Sequence, residues 1–112
     1  MAAKVFVVVS SADEEVVAGV GLRYSLNAAK NKWLDEVRVI IFGPAGKLVA
    51  CNPRVQEKIK ELQEAGVEVM ACKACTDEQN ISSILEGAGI KVLYVGSIIS
   101  QLLKDGWAVL TF

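Results

Sequence analysis

Five short apolar runs, separated by stretches with helical spacing, constrain the fold of this chain more than any other feature. They are Lys4 to Ser10 (KVFVVVS), Glu36 to Gly43 (EVRVIIFG), Val67 to Ala71 (VEVMA), Ile90 to Val95 (IKVLYV) and Trp107 to Phe112 (WAVLTF). The first has no polar alternation, so both of its faces need cover, as in a central strand of a parallel sheet. Strands that alternate with helices in the order βαβαβαβαβ predict a three-layer α/β/α domain. Its five-stranded sheet is parallel or mostly parallel, joined by right-handed crossovers and covered on both sides. Residues 1–112 contain no repeat, linker or low-complexity tract and read as a single domain.

The helices carry their own punctuation. Ser11 or Asp13 is placed to cap a helix over 13–32, with Glu14 and Glu15 at its positive end. That helix has two apolar stripes. Val16 and Val20 run beside Val17, Tyr24 and Ala28; Leu22, Leu26, Ala29 and Trp33 form the other. The segment Gly43-Pro44-Ala45-Gly46-Lys47 has only two residues between its glycines and Leu48 after Lys47, so it reads as a tight turn, not a phosphate-binding loop. Leu48 to Cys51 reads as a short apolar step. Asn52-Pro53 then opens an amphipathic helix over 54–65, with Val55, Ile59 and Leu62 inward and Gly66 as its stop. A helix over 77–86 should bury Ile81, Ile84 and Leu85, with Thr76 and Gln79 as its capping box. A further short helix opens at Gly96-Ser97.

Composition narrows the chemistry. The chain has no histidine, which removes Ser-His and Cys-His nucleophile pairs and imidazole metal ligands within one chain. Chemistry must rest on thiols, carboxylates, amines or backbone. Twelve basic against thirteen acidic residues, without a clustered basic stripe, leave no footprint for nucleic acid or membrane. No apolar run approaches the roughly 18 residues that span a bilayer, and the apolar start is too short for a signal peptide. The expected location is cytoplasmic, where three cysteines are thiols and not a disulfide framework. The apolar fraction of 53% is high, which points to surface buried against other subunits.

Cys72 and Cys75 form a CxxC where the third strand runs out, immediately ahead of a helix start. Open α/β sheets place ligands and chemistry at such strand ends, and a helix N-terminus with Lys73 adjacent favours a thiolate at Cys72. Cys75 either resolves an oxidised or persulfidated Cys72 or serves as a small residue before the cap. Cys51 lies elsewhere and reads as a small apolar residue. Zinc is disfavoured, because the motif gives two ligands where a structural site needs four. No cofactor is indicated. Lys47, Ser10, Ser11, Asp13, Gly96 and Ser97 also fall at strand ends, where turn and cap chemistry accounts for them. Trp33 and Trp107 read as core or interface aromatics.

The ordered set FGPAGKLVA, LQEAGVEVMACKAC, GIKVLYVG with a short helix after it, and GWAVLTF resembles the DsrE/DsrF-like family over almost the whole chain. The resemblance implies a small α/β domain of flavodoxin- or Rossmann-like topology that assembles into homotrimers or hexamers. In sulfur-relay members it also implies a cysteine after the third strand that carries sulfur as a persulfide between donor and acceptor proteins. Cys72 matches that position, and a sulfurtransferase-type carrier is the expected function. Cys75 adds a second thiol, so the motif leaves dithiol redox chemistry open. A small-ligand or nucleotide-binding oligomeric module, with the thiols as bystanders, also remains open.

Overall fold

The computed structural model describes residues 2–112; Met1, the first residue of the expected domain, lies outside the described residues. Five strands, β1 (Lys4–Val9), β2 (Glu36–Ile41), β3 (Glu68–Cys72), β4 (Lys91–Leu93) and β5 (Ala108–Thr111), form one sheet in the order β4-β3-β2-β1-β5. Every pairing is parallel. The winding is Rossmann-like, in that β1 to β4 step in one direction and β5 crosses back to lie beyond β1.

Strand register sorts the side chains into two layers, since successive residues point to opposite faces. Val5, Val7, Val9, Val37, Val39, Ile41, Val67, Val69 and Ala71 belong to one large cluster. Beyond α1 (Glu14–Val16), which buries no residue, a π-helical turn (Val17–Gly21), α2 (Leu22–Lys30), α3 (Ala45–Cys51), α4 (Pro53–Glu64) and α6 (Ser82–Gly87) lie over it. The opposite face carries a smaller cluster of Phe6, Ile40, Met70 and Cys72, closed by Val95 and Leu102 of α7 (Val95–Lys104) and by Trp107. A single helix crosses this second face on the way from β4 to β5. Toward the N-terminal ends of its strands a row of ion pairs runs Lys4–Glu36–Arg38–Glu68–Lys91, and the Arg38 guanidinium lies 4.6 Å from the Trp107 ring.

Several local expectations hold and several change. Asp13 is the first helix cap, accepting from the Glu15 and Val16 amides at 2.8 and 3.3 Å, and Asn52 caps α4 by accepting from Val55 N at 3.1 Å. Val55, Ile59 and Leu62 face inward as their spacing predicts. The first helix runs through a π turn, and its core residues come from both expected stripes, Leu22 and Leu26 from one and Val17 and Ala28 from the other, together with Ala18. Val20 stays exposed. Trp33 is 59% exposed with its ring 6.2 Å from that of Tyr24, so it is not core, whereas Trp107 is.

The expected turn and apolar step over 43–51 is instead the helix α3, which Gly43 introduces at φ +59°. Gly46 sits inside that helix because a β-carbon there would lie 3.1 Å from Gln79 Oε1 and 3.2 Å from Ile81 Cδ1. The expected helix over 77–86 is two helices, α5 (Lys73–Glu78) and α6, broken where Asn80 takes φ +57°. Ile84 is 50% exposed, so only Ile81 and Leu85 of the expected trio are buried.

Candidate functional site

Cys72 is the last residue of β3 and the N-cap residue of α5. Its even register with Met70 and Glu68 turns it to the second face, where it belongs to the cluster with Met70 and Val95. Next to it on β4 is Leu93. At this point the chain leaves β3 through α5 into α6 on the first face and leaves β4 into α7 on the second. Adjacent strands whose connections depart to opposite sides open a crevice at their carboxyl ends, which is where open α/β sheets hold ligands. The strand-end position expected for Cys72 is therefore observed, but its exposure is not that of a loop: it is 6% exposed.

Cys75 stands one helical turn on, inside α5 and half-buried, packed against the same cluster. The Cys72 side chain and the Gly43 backbone lie near enough to its thiol to affect its protonation. Burial is the main cause that pushes the Cys75 thiol above its ordinary pKa; the Cys72 contact adds to this and the Gly43 N–H opposes it. Gly43 in turn accepts from Gln79 Nε2 at 3.3 Å, which ties the end of β2 to the end of α5. The other amide atom, Gln79 Oε1, is buried without a partner among the described residues.

Thr76 does not cap a helix. It lies within α5, 2% exposed, with its hydroxyl donating back to Lys73 O at 3.2 Å and 2.8 Å from Ser82 Oγ. Lys73 turns outward from the thiols. Its ammonium pairs with Asp77 at 3.0 Å and sits 5.9 Å from the ring centre of Tyr94. The Ser82 hydroxyl and then Lys73 hold the Asp77 carboxyl below the usual carboxylate range, and the Asp77 carboxylate keeps Lys73 protonated to higher pH than usual. Lys73 thus serves the rim of the site rather than the thiol beside it in sequence. Tyr94, 65% exposed, and Leu93 complete that rim.

Cys51 ends α3, exposed, donating its thiol to Lys47 O at 2.8 Å, and shares neither helix nor cluster with the CxxC pair. Lys47 is exposed on α3, Ser10 is tied to Phe112 O, and Gly96 and Ser97 lie in the first turn of α7. A groove of 510 Å³ between α4 and α6 and another of 360 Å³ at the N-terminal end of β2 are lined by no cysteine. Among the described residues no group of three or more His, Cys, Asp or Glu side chains is arranged to hold a metal ion. Nor is any helix among them long and apolar enough to cross a membrane. The sequence reading places Gly43 in a turn, Gln79 in a capping box and Tyr94 in a strand, and misses that all three meet at this site, because those contacts are made across elements.

The sequence pattern of the DsrE/DsrF-like family matches residues 3–112. This chain belongs to the DsrE/DsrF-like family. Its fold agrees with solved structures at full length. A conserved protein of unknown function, BT1422 from Bacteroides thetaiotaomicron, aligns with TM-score 0.92 at 28% identity, over 97% of this chain and 94% of that one. The ychN protein of E. coli aligns with TM-score 0.82 at 21% identity, covering 98% and 99% of the two chains. MTH1491 from Methanobacterium thermoautotrophicum, also of unknown function, aligns with TM-score 0.73 at 19% identity over the whole of both chains. No curated protein matches the chain. For this DsrE/DsrF-like chain, membership supports a sulfur-relay-type assignment at the level of the family, and the neighbours establish the all-parallel α/β architecture.

Proposed function

We propose that the protein carries sulfane sulfur as a persulfide on Cys72. The observation that supports this most is the position of Cys72 at the end of β3, where adjacent strands part to opposite faces, with a second thiol one helical turn away. In the loading step the Cys72 thiolate attacks the outer sulfur of a donor persulfide and the donor thiolate leaves. In the delivery step an acceptor thiolate attacks the outer sulfur now on Cys72, and the Cys72 thiolate leaves. Low exposure at Cys72 suits a carrier, because it slows loss of the sulfur to small thiols in bulk solution. Donor and acceptor proteins approach across the Leu93–Tyr94 rim.

The same reading makes the protein a homo-oligomer, a trimer or hexamer, that uses its thinly covered second face. Leu93, Tyr94, Leu103 and Val109 are all exposed on or beside that face, more apolar surface than a monomer needs to present.

Intact-mass measurement after exposure to a small persulfide donor tests the carrier reading. Wild type and Cys75→Ser should each gain one reductant-labile sulfur, and Cys72→Ser should gain none. Equal uptake by Cys72→Ser, or no uptake by any form, would end the proposal.

A further inference from the structure

We propose that Cys75 converts the carried sulfur into hydrosulfide: it attacks the inner sulfur of a persulfide on Cys72, closes a Cys72–Cys75 disulfide and expels the outer sulfur as HS⁻. This inference rests on the carrier reading above and adds a product and a second co-substrate class to it. Cys72 caps α5 and Cys75 occupies its first turn, so the two side chains rise from adjacent levels of one helix end. Both pack against the same apolar cluster, and the Cys72 side chain lies near enough to the Cys75 thiol to affect its protonation. A thiol held in place competes well with any thiol from solution, because it reacts at a high effective concentration, and Cys72 is nearly closed to solvent thiols.

The step balances internally. The Cys72 persulfide anion and the Cys75 thiol become one disulfide and one hydrosulfide. The new bond joins the two cysteine sulfurs, the bond to the outer sulfur breaks, and the Cys75 proton leaves with that sulfur. The outer sulfur gains two electrons, and the cysteine pair loses two. Burial holds a proton on the Cys75 thiol; it passes to the outer sulfur as Cys75 attacks as the thiolate, so the proton the leaving sulfur takes is already present at the site. An external dithiol resets the pair by attacking Cys75, the more exposed of the two sulfurs. The site therefore takes a persulfide as oxidant and a dithiol as reductant.

The test uses the full chain in a Cys51→Ser background, loaded with one equivalent of inorganic polysulfide, desalted, and held without oxygen or reductant. Intact mass and released sulfide are followed together. The expected result is passage from one sulfur heavier to two hydrogens lighter, with one sulfide released per chain. Release should be at least about tenfold faster than in Cys75→Ser and Cys75→Ala, both of which keep the added sulfur. If the parent protein holds its sulfur as long as these variants, or releases sulfide without losing two hydrogens, the inference is overturned while the carrier reading stands. If Cys75→Ser never gains sulfur, or Cys72→Ser gains it equally, the carrier reading fails first and takes the inference with it.

Discussion

The two faces of the sheet differ in how completely the chain covers them. The first face lies under the π turn, α2, α3, α4 and α6, and its valines and isoleucines are sealed in a large cluster. On the second face α7, with Trp107 and Cys75 beside it, closes a smaller cluster, and the rest is an ion-pair row, a guanidinium over the Trp107 ring, and exposed Leu93 and Val109. Cys72 points to this second face. The lesson is a division of labour: stability is concentrated where covering is complete, and the reactive thiols lie where covering is thin enough for another molecule to complete it.

The largest test of that contrast is a pair of truncations. Leu22→Ala, at a fully buried position on the thick side, should cost about 3–4 kcal/mol; Leu102→Ala, on the lone helix of the thin side, should cost about 2 kcal/mol. Urea unfolding with unchanged slope measures both. Equal losses would mean that the thin side is as well packed in solution as the thick one, which is what an assembled oligomer would produce.

Gly46→Ala probes the junction between α3 and the residues that follow α5. The added methyl would crowd Gln79 Oε1 and Ile81 Cδ1, and it should destabilise by about 1–2 kcal/mol. It should also alter alkylation of Cys75, because Gln79 and Cys75 share contacts with Gly43. A variant as stable as wild type, with unchanged thiol reactivity, would disconnect the junction from the site.

The smallest effects are in the pH dependence of stability, and the two sides of the site have opposite signs. The Cys75 pKa is raised in the fold, so the fold holds that proton more tightly than the unfolded chain does. Its contribution is complete below the ordinary thiol value of 9.0 and is lost as pH rises through the folded value. Unfolding midpoints should therefore fall more steeply above about pH 9 for wild type than for Cys75→Ser. The Asp77 pKa is lowered, so its contribution is present above 3.8 and is lost as pH falls through the folded value. Asp77→Asn should flatten the acid limb and leave the alkaline one alone. Identical profiles for wild type and both variants would remove the electrostatic account of the site.

Much of this architecture was legible from residue order. The five apolar runs mark all five strands, sheltered in β1, β2 and β3 and largely exposed in the edge strands β4 and β5, and Asp13, Asn52-Pro53 and Gly66 act through local hydrogen bonding and backbone preference that neighbours do not override. What stayed hidden was decided across elements. Thr76-Asp77-Glu78-Gln79 carries a sound capping pattern, yet Gln79 bonds Gly43 and Thr76 faces Ser82, so α5 starts earlier, at Lys73 with Cys72 at its N-cap. The seven residues of α3 include a glycine and follow a proline, which gives too little helical signal for a helix that tertiary packing holds. The burial of Cys72 depends on α7, which begins more than twenty residues later.

The place of β5 has a consequence for how the molecule is put together. Strands β1 to β4 add to one another in chain order, but β5 pairs with β1 across the length of the chain, as in the bond from Ser10 Oγ to Phe112 O, 102 residues apart. Closing so long a loop is slow compared with the neighbouring steps. Until it closes, Val5 to Val8 present an unpaired strand edge beside a half-covered apolar surface. The form that waits for β5 is thus the one most prone to pair with another chain, so aggregation during refolding should follow the rate of that single docking event.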